Sequence, residues 1–177
     1  YMQNGYKIIM ITDHDILTWP WTKFSKIKPD WKDRNPDSMK VLTFPAIELD
    51  DPHHRGLFFA QVPGKVYDLD SALHIARDSS ALMIMNHPGR YWKLKKKYAP
   101  GDQFSPEWYV GYLNKYPEIV GFEVYNRPND SNPFDRILWD EVLTRTMPGR
   151  PVWGFASDDM HVQKNMMGNY EFMLMTE

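Results

Sequence analysis

Histidine and carboxylate side chains recur in this sequence directly after short apolar runs. Asp159 and His161 follow the run from Val152 to Ala156, and His14 follows the run from Tyr6 to Ile11. Imidazole together with carboxylate is a donor set typical of Zn, Mn or Fe(II), rather than of Ca or Mg alone. These residue types therefore predict a metal site built from nitrogen and oxygen ligands.

The same pattern appears at several other places along the chain. Glu48 follows Val41 to Ile47, His87 follows Ala81 to Met85, and Glu123 follows Ile119 to Phe122. A pair of adjacent histidines precedes the apolar run from Gly56 to Val62. The full candidate ligand set is His14, Glu48, His53 or His54, His87, Glu123, Asp159 and His161.

Local geometry ranks the neighbouring candidates without deciding between them. His53 and His54 point to opposite sides of an extended chain, so one of them is expected to be a ligand, and we favour His54. Asp159 shares a side with His161 at a spacing of two residues, which favours it over Asp158. Glu123 has three open roles: a ligand, a partner that orients a histidine, or a member of a salt bridge.

Each of these apolar runs is interpreted as one strand, and the strands alternate with helical patterns, which predicts an α/β fold with a mostly parallel sheet or barrel. In such folds the site lies at the carboxyl ends of the strands. Helices are predicted over 68–79, with Asp68 or Asp70 as the cap, and over 105–116, with Ser105 as N-cap and proline first. A third helix is predicted over 132–149. Tyr1 to Gly5 is interpreted as a helix end, Ile16 to Lys40 as irregular, Lys93 to Lys97 as a basic loop, and Asn169 to Met175 as a final apolar run.

Composition excludes several classes of protein. The 177 residues carry 21 basic and 23 acidic side chains, a net charge of -2, which does not indicate a nucleic-acid or membrane surface. The absence of cysteine excludes disulfides, thiolate zinc sites and a catalytic cysteine. No apolar run has the length of a membrane helix and no signal peptide is visible, so we expect a soluble protein. Its compartment, cytoplasm or periplasm, and its oligomeric state stay open.

Five short motifs, in their order and spacing, resemble the PHP (polymerase and histidinol phosphatase) domain family. They are Ile11-Thr12-Asp13-His14, Ala46-Ile47-Glu48, Asn86-His87-Pro88, Gly121-Phe122-Glu123-Val124-Tyr125-Asn126 and Ser157-Asp158-Asp159-Met160-His161. The resemblance implies a distorted (β/α)7 barrel with two or three divalent ions, Zn, Mn or Fe, at its strand ends. It also implies the metal roles: Glu48 as the bridge, His54 and His87 on one ion, Asp159 on another, and His14 with His161 on a third.

The sequence departs from the family at its start. The family's first strand ends in His-x-His, and nothing before Tyr6 matches that motif. We therefore expect residues 1–177 to be a single PHP-like domain, shortened at both ends, that lacks the first strand and helix of the barrel. The metal assigned to Asp159 is then expected to be weakly held or absent.

The resemblance implies a metal-dependent phosphoesterase acting on a small phosphorylated substrate. Glu48, Arg90 and His161 are the candidate catalytic residues. Arg90 is predicted to bind phosphate oxygens in a bidentate way, with Arg55 and Arg127 as alternatives. His161 or His14 would protonate the leaving group if it is not a metal ligand.

Three other functions fit parts of the pattern. The same metal chemistry would serve a carboxyl or carbamate ester hydrolase. The missing His-x-His also fits a non-catalytic module that keeps the fold. A glycosidase pair, Glu48 with Glu123 beside the tryptophan-rich segment, leaves the histidines unexplained.

Overall fold

The computed structural model describes residues 5–19, 40–50, 53–62, 68–92, 102–127 and 132–161. The chain divides into two compact units. The first holds the described residues of Tyr1–Pro52 and Gly56–Leu82, and the second holds those of His53–Arg55 and Met83–Glu177. Several predictions lie outside the described residues: the helix end in 1–4, most of the irregular segment 16–40, the basic loop 93–97 and the final run 169–175.

The first unit contains short strands and one helix. Its elements are β1 (Ile8–Ile9), β2 (Leu42–Thr43), β3 (Ala46–Leu49), the larger part of β4 (Arg55–Phe58) and α1 (Leu69–Asp78). Strands β1 and β2 pair in parallel, while β3 and β4 are neighbours in a second sheet. All four residues of β3 are buried, which explains why this part of the sequence is apolar apart from Glu48.

Helix α1 forms as its sequence predicts. The Asp68 side chain accepts a hydrogen bond from the backbone N–H of Ser71 at 2.7 Å and caps the helix. Leu69, Ala72, Leu73 and Ala76 recur at helical spacing and are all buried. The apolar stripe thus faces the core of the first unit.

The predicted single strand over Val41 to Ile47 is wrong in one respect, because the structure breaks it into β2 and β3. The break falls at Phe44 and Pro45. Proline has no N–H for a strand ladder, and here its carbonyl accepts a hydrogen bond from Phe59 N at 2.8 Å. The chain therefore leaves the β1–β2 sheet at Pro45 and enters the sheet that contains β4.

The second unit alternates strands with helices. Its elements are β5 (Leu82–Met85), which begins at the last residue of the first unit, α2 (Gly89–Trp92), α3 (Pro106–Lys115), β6 (Ile119–Asn126), α4 (Asn132–Thr146) and β7 (Trp153–Ser157). Strand β6 lies between β5 and β7, and both pairs are parallel. Helix α4 packs on β6 and on the other two helices of this unit. This is the α/β arrangement that the sequence predicts.

Helix α3 begins as predicted, with Pro106 in its first turn and Ser105 as N-cap. The Ser105 hydroxyl accepts from Trp108 N at 3.1 Å. The inner face of α3 carries Tyr109 and Leu113, which are buried. The Tyr109 ring contacts Phe122 of β6 edge to face at a centroid separation of 5.0 Å. Aromatic packing therefore sets the position of α3 against the sheet.

Strand β6 is longer than predicted and contains a bulge. Glu123 pairs with Phe155 of β7, whereas Tyr125 pairs with the next residue, Ala156, so Val124 is an extra residue. An inserted residue shifts the alternation of side chains by one. The prediction that the strand ends before Glu123 is thus wrong, because the bulge lets pairing continue to Asn126.

The described residues contain no helix that is both long and apolar enough to cross a membrane. Neither unit closes into a barrel within the described ranges. The (β/α)7 barrel implied by the resemblance stays a prediction, whereas the α/β class is present.

We predict that Gly121→Ala destabilises the second unit. A Cβ at this position would lie 2.1 Å from the backbone oxygen of Trp153 in β7, and backbone cannot move aside as a side chain does. The expected loss is about 1–3 kcal/mol of unfolding free energy, measured by urea denaturation. Gly111→Ala is the matched control, because its Cβ meets nothing within 4 Å, and alanine should stabilise α3 by up to about 1 kcal/mol. Equal effects of the two substitutions would contradict the steric argument.

Candidate metal centre

Glu123 is a buried carboxylate of the second unit that is surrounded by hydrogen-bond donors. It is only 5% exposed and lies inside β6. One oxygen, Oε2, accepts from the backbone N–H of His87 at 2.8 Å and faces His87 Nδ1 at 2.9 Å. The other, Oε1, accepts from Asn126 Nδ2 at 3.1 Å and from the Ser157 hydroxyl. Both oxygens of this buried side chain therefore act as hydrogen-bond acceptors.

These contacts select the tautomer of His87. Because Glu123 Oε2 is an acceptor, His87 Nδ1 carries the hydrogen and donates it. The lone pair of the ring is then on Nε2. A histidine whose other ring nitrogen donates to a carboxylate is the usual form of a metal ligand. Glu123 thus makes the contacts with His87 that the orienting role requires, one of the three roles that the sequence left open.

His54 and His87 present two ring nitrogens to each other in the second unit. His54 Nδ1 lies 3.0 Å from His87 Nε2, and the rings are nearly perpendicular at a centroid distance of 4.9 Å. Two histidine nitrogens that are each about 2.0–2.1 Å from one tetrahedral zinc ion would be about 3.3 Å apart, close to the observed separation. The spacing and the chemistry of this pair therefore fit a divalent transition-metal ion.

The first unit has its own group of donors around His14. His14 Nδ1 lies 2.5 Å from Asp50 Oδ1 and 3.8 Å from Glu48 Oε2. The backbone holds this segment beside β3, since Asp15 N donates to Glu48 O at 2.8 Å and Glu48 N donates to Asp13 O at 3.2 Å. Glu48 is third in β3 rather than beyond its end. Asp50 was not among the predicted ligands, although it stands two residues after Glu48.

His53 is excluded as a ligand by its own contacts. Its side chain is fully buried, and its Nδ1 donates to the His54 carbonyl at 2.7 Å. Its Nε2 accepts from the Tyr109 hydroxyl at 2.6 Å. Burial lowers the pKa of His53 well below its usual 6.5, so the ring is neutral. Both nitrogens are thus engaged, which favours His54 as the ligand of this pair.

Asp159 and His161 lie after the end of β7, where the sequence placed them. His161 Nδ1 is 3.5 Å from Asp159 Oδ1, and Arg127 Nε is 3.5 Å from Asp159 Oδ2. Within the described ranges, neither Asp159 nor His161 belongs to a group of three metal-ligand types whose atoms all lie within 4.8 Å of one another. The structure pairs this carboxylate with an arginine that the sequence had considered for phosphate.

The three candidate phosphate-binding arginines differ in burial. Arg90 is partly exposed in α2, three residues after His87. Arg127 is 40% exposed and contacts Asp159. Arg55 is fully buried and donates from Nη1 to the His53 carbonyl at 2.9 Å. Arg90 and Arg127 therefore remain accessible to an anion in this conformation, whereas Arg55 is not.

Sequence reasoning missed the residues that support His54 and His87. Ser157 and Asn126 bind Glu123, and Tyr91 accepts a hydrogen bond from His54 N. Ser157 directly follows the apolar run from Val152 to Ala156, the signal that singled out the candidate ligands, whereas Asn126 ends the observed strand β6, four residues past the predicted end at Phe122. Nothing in the sequence points to Tyr91, because its role depends on α2, a four-residue helix too short to predict.

Comparison with known proteins gives a distant structural likeness. No family model matches the chain, and no curated protein matches it. A solved structure from Bacteroides vulgatus ATCC 8482, a two-domain protein containing a predicted PHP-like metal-dependent phosphoesterase, matches with a TM-score of 0.56 and 17% identity. The match covers 89% of this chain and 44% of that one. At this identity the likeness shows a shared fold only, and the chain spans less than half of its neighbour.

We predict that Glu123→Gln lowers the unfolding free energy by about 1.5–3 kcal/mol, the range for a hydrogen bond to a charged group. The amide keeps the shape but cannot accept at both positions. Glu107→Gln is the control, because Glu107 is 42% exposed and pairs with Arg145 at 3.4 Å on the surface; its effect should be below about 1 kcal/mol. Chemical denaturation measures both, and equal losses would contradict the central place of Glu123.

Proposed function

We propose that this protein is a metal-dependent hydrolase that cleaves a phosphate ester of a small substrate. The observation that carries the metal is the 3.0 Å approach of His54 Nδ1 to His87 Nε2, with His87 Nδ1 bound to Glu123. The choice of a phosphate ester as the substrate rests on the resemblance of the five motifs to the PHP family. The description of the Bacteroides vulgatus neighbour as PHP-like supports it.

The ligands in this proposal are His54 and His87 in the second unit and His14 and Glu48 in the first, with Asp159 and His161 completing the set that the resemblance implies. Zn, Mn or Fe is the expected ion type, and two or three ions the expected number. When bound, such ions activate water and neutralise the charge that develops on a phosphoryl group. Glu123 contributes by keeping the Nε2 lone pair of His87 available.

Two further side chains act on the substrate in this proposal. The guanidinium of Arg90 binds phosphate oxygens, which suits its fork of N–H donors and its partial exposure. Where His161 is not a metal ligand, its side chain, which is 54% exposed, donates a proton to the departing alcohol instead. The P–O bond to the alcohol breaks as water oxygen bonds to phosphorus.

We expect Glu48→Gln and His87→Gln each to lower both metal content and turnover. Elemental analysis after supplementation with Zn²⁺ or Mn²⁺ measures the first, and hydrolysis of an aryl phosphate measures the second. The loss in turnover should reach at least the roughly 10–100-fold that removal of an outer-sphere partner costs. Testing one variant from each unit separates the two donor groups.

Glu141→Gln is the control for this experiment. Glu141 lies on the exposed surface of α4, and its ion pair with Arg145 is of a kind that contributes little to stability. Unchanged metal content in Glu48→Gln would refute a bridging role for Glu48. Faster cleavage of an aryl carboxyl ester than of the phosphate would assign the other hydrolase class. Bound metal without turnover on either ester would make the protein a non-catalytic module.

A further inference from the structure

The peptide group that joins His53 to His54 is held at both of its polar ends by side chains. Its carbonyl oxygen, on His53, accepts from Arg55 Nη1 at 2.9 Å. Its N–H, on His54, donates to the Tyr91 hydroxyl at 3.1 Å. A peptide plane fixed at both ends cannot rotate, so the direction in which the His54 Cβ leaves the backbone is set.

The next carbonyl, that of His54, is also held twice. Asn86 N, at the end of β5, donates to it at 2.9 Å, and His53 Nδ1 donates at 2.7 Å. The His53 ring thus turns back and binds the residue that follows it. The link to Asn86 joins the His54 backbone to the segment that carries His87.

His53 holds this position because aromatic rings enclose it. Tyr91 stacks on its ring at a centroid distance of 4.3 Å, and Phe104 and Tyr109 each approach to 5.6 Å. The His54 carbonyl can only accept, so His53 Nδ1 carries a hydrogen, and the Tyr109 hydroxyl 2.6 Å from Nε2 donates to the other nitrogen. The hydrogen bond from Tyr109 to Nε2 therefore keeps Nδ1 as the nitrogen that donates to the His54 carbonyl.

Tyr91 is itself placed by the packing of α2 against α4. Gly89 N donates to the buried Asp135 side chain at 2.5 Å. A Cβ on Gly89 would lie 2.3 Å from Asp135 N, so only glycine permits this approach. Tyr91, two residues later, stands near three imidazoles, with centroid distances of 4.3 Å to His53, 6.1 Å to His54 and 6.5 Å to His87.

We propose that Tyr91 and His53 are positioning residues that fix the His54 backbone so that its ring nitrogen faces that of His87. This inference rests on the proposed function, in which His54 and His87 bind metal. Neither Tyr91 nor His53 binds the ion: Tyr91 supplies an acceptor to the His54 N–H, and His53 supplies a donor to the His54 carbonyl. Their contribution is to preorganise the ligand before the ion arrives.

The test uses Co²⁺ as the probe ion with the 177-residue chain. Tyr91→Phe keeps the ring but removes the acceptor for His54 N–H. We expect its Co²⁺ dissociation constant to rise on the order of 10-fold or more, with a changed visible absorption spectrum that reports altered ligand geometry. Tyr112→Phe is the matched control, because the Tyr112 ring packs at a tilt on Trp108 and stacks on Tyr116, the C-cap of α3, and it should leave Co²⁺ affinity and spectrum unchanged.

A second measurement needs no variant at the site. Nitrogen-15 NMR of the wild-type imidazoles should show the His53 hydrogen on Nδ1, both before and after Zn²⁺ is added. The His54 and His87 resonances should move with Zn²⁺. Should Tyr91→Phe fail to fold, Tyr109→Phe replaces it, since it frees the His53 ring to change tautomer without touching His54 N–H.

The possible outcomes separate the two proposals. Unchanged Co²⁺ affinity and spectrum in Tyr91→Phe, with wild-type binding intact, would overturn the positioning role and leave the metal function standing. A His53 hydrogen on Nε2 would also overturn it, because the contact with the His54 carbonyl would lose its donor. Absence of Co²⁺ binding by the wild type would overturn the metal function and with it this inference.

Discussion

The second unit depends on one buried carboxylate. Glu123 lies in the middle strand of three, and its two oxygens are bonded to groups from the ends of all three: His87 beyond β5, Asn126 at the end of β6, and Ser157 at the end of β7. Removing it would leave buried donors without an acceptor, which costs more than the bonds themselves contribute. The same bonds set the tautomer of His87, so the stability of the sheet edge and the position of the His87 lone pair share one cause.

The bulge at Val124 makes this arrangement possible. In a regular strand, side chains three residues apart point to opposite faces, and Glu123 and Asn126 could not meet. The extra residue shifts the alternation and brings them within hydrogen-bond distance. Beyond the strands, His87, Arg127 and Asp159 all have positive φ, at 31°, 30° and 44°, conformations that cost of order 1–3 kcal/mol each. Strained backbone at three neighbouring strand ends is typical of a functional edge.

Local signals in the sequence predicted most of the helices and the class of fold. Asp68 and Ser105 cap the helices that they were expected to cap, because an N-cap bond depends on residues only three positions apart. The apolar runs predicted where the strands lie but not the residues at which they end. The predicted strand over Val41 to Ile47 is broken at Pro45, where the chain passes from one sheet to the other. Strand β6 continues past Glu123 because it pairs with β7. Both effects depend on residues that are distant in the sequence.

Residue type alone determined which side chains are candidates for a metal: imidazoles and carboxylates beside apolar strands, in a chain without cysteine. Only the tertiary structure decided their roles. His53 and His54 are adjacent and chemically identical, and they differ because Tyr109 engages Nε2 of the first while the second faces His87. Glu123 orients a histidine because three strand ends converge on it. Such roles depend on contacts between residues some 30 to 60 positions apart, which the order of residues does not encode locally.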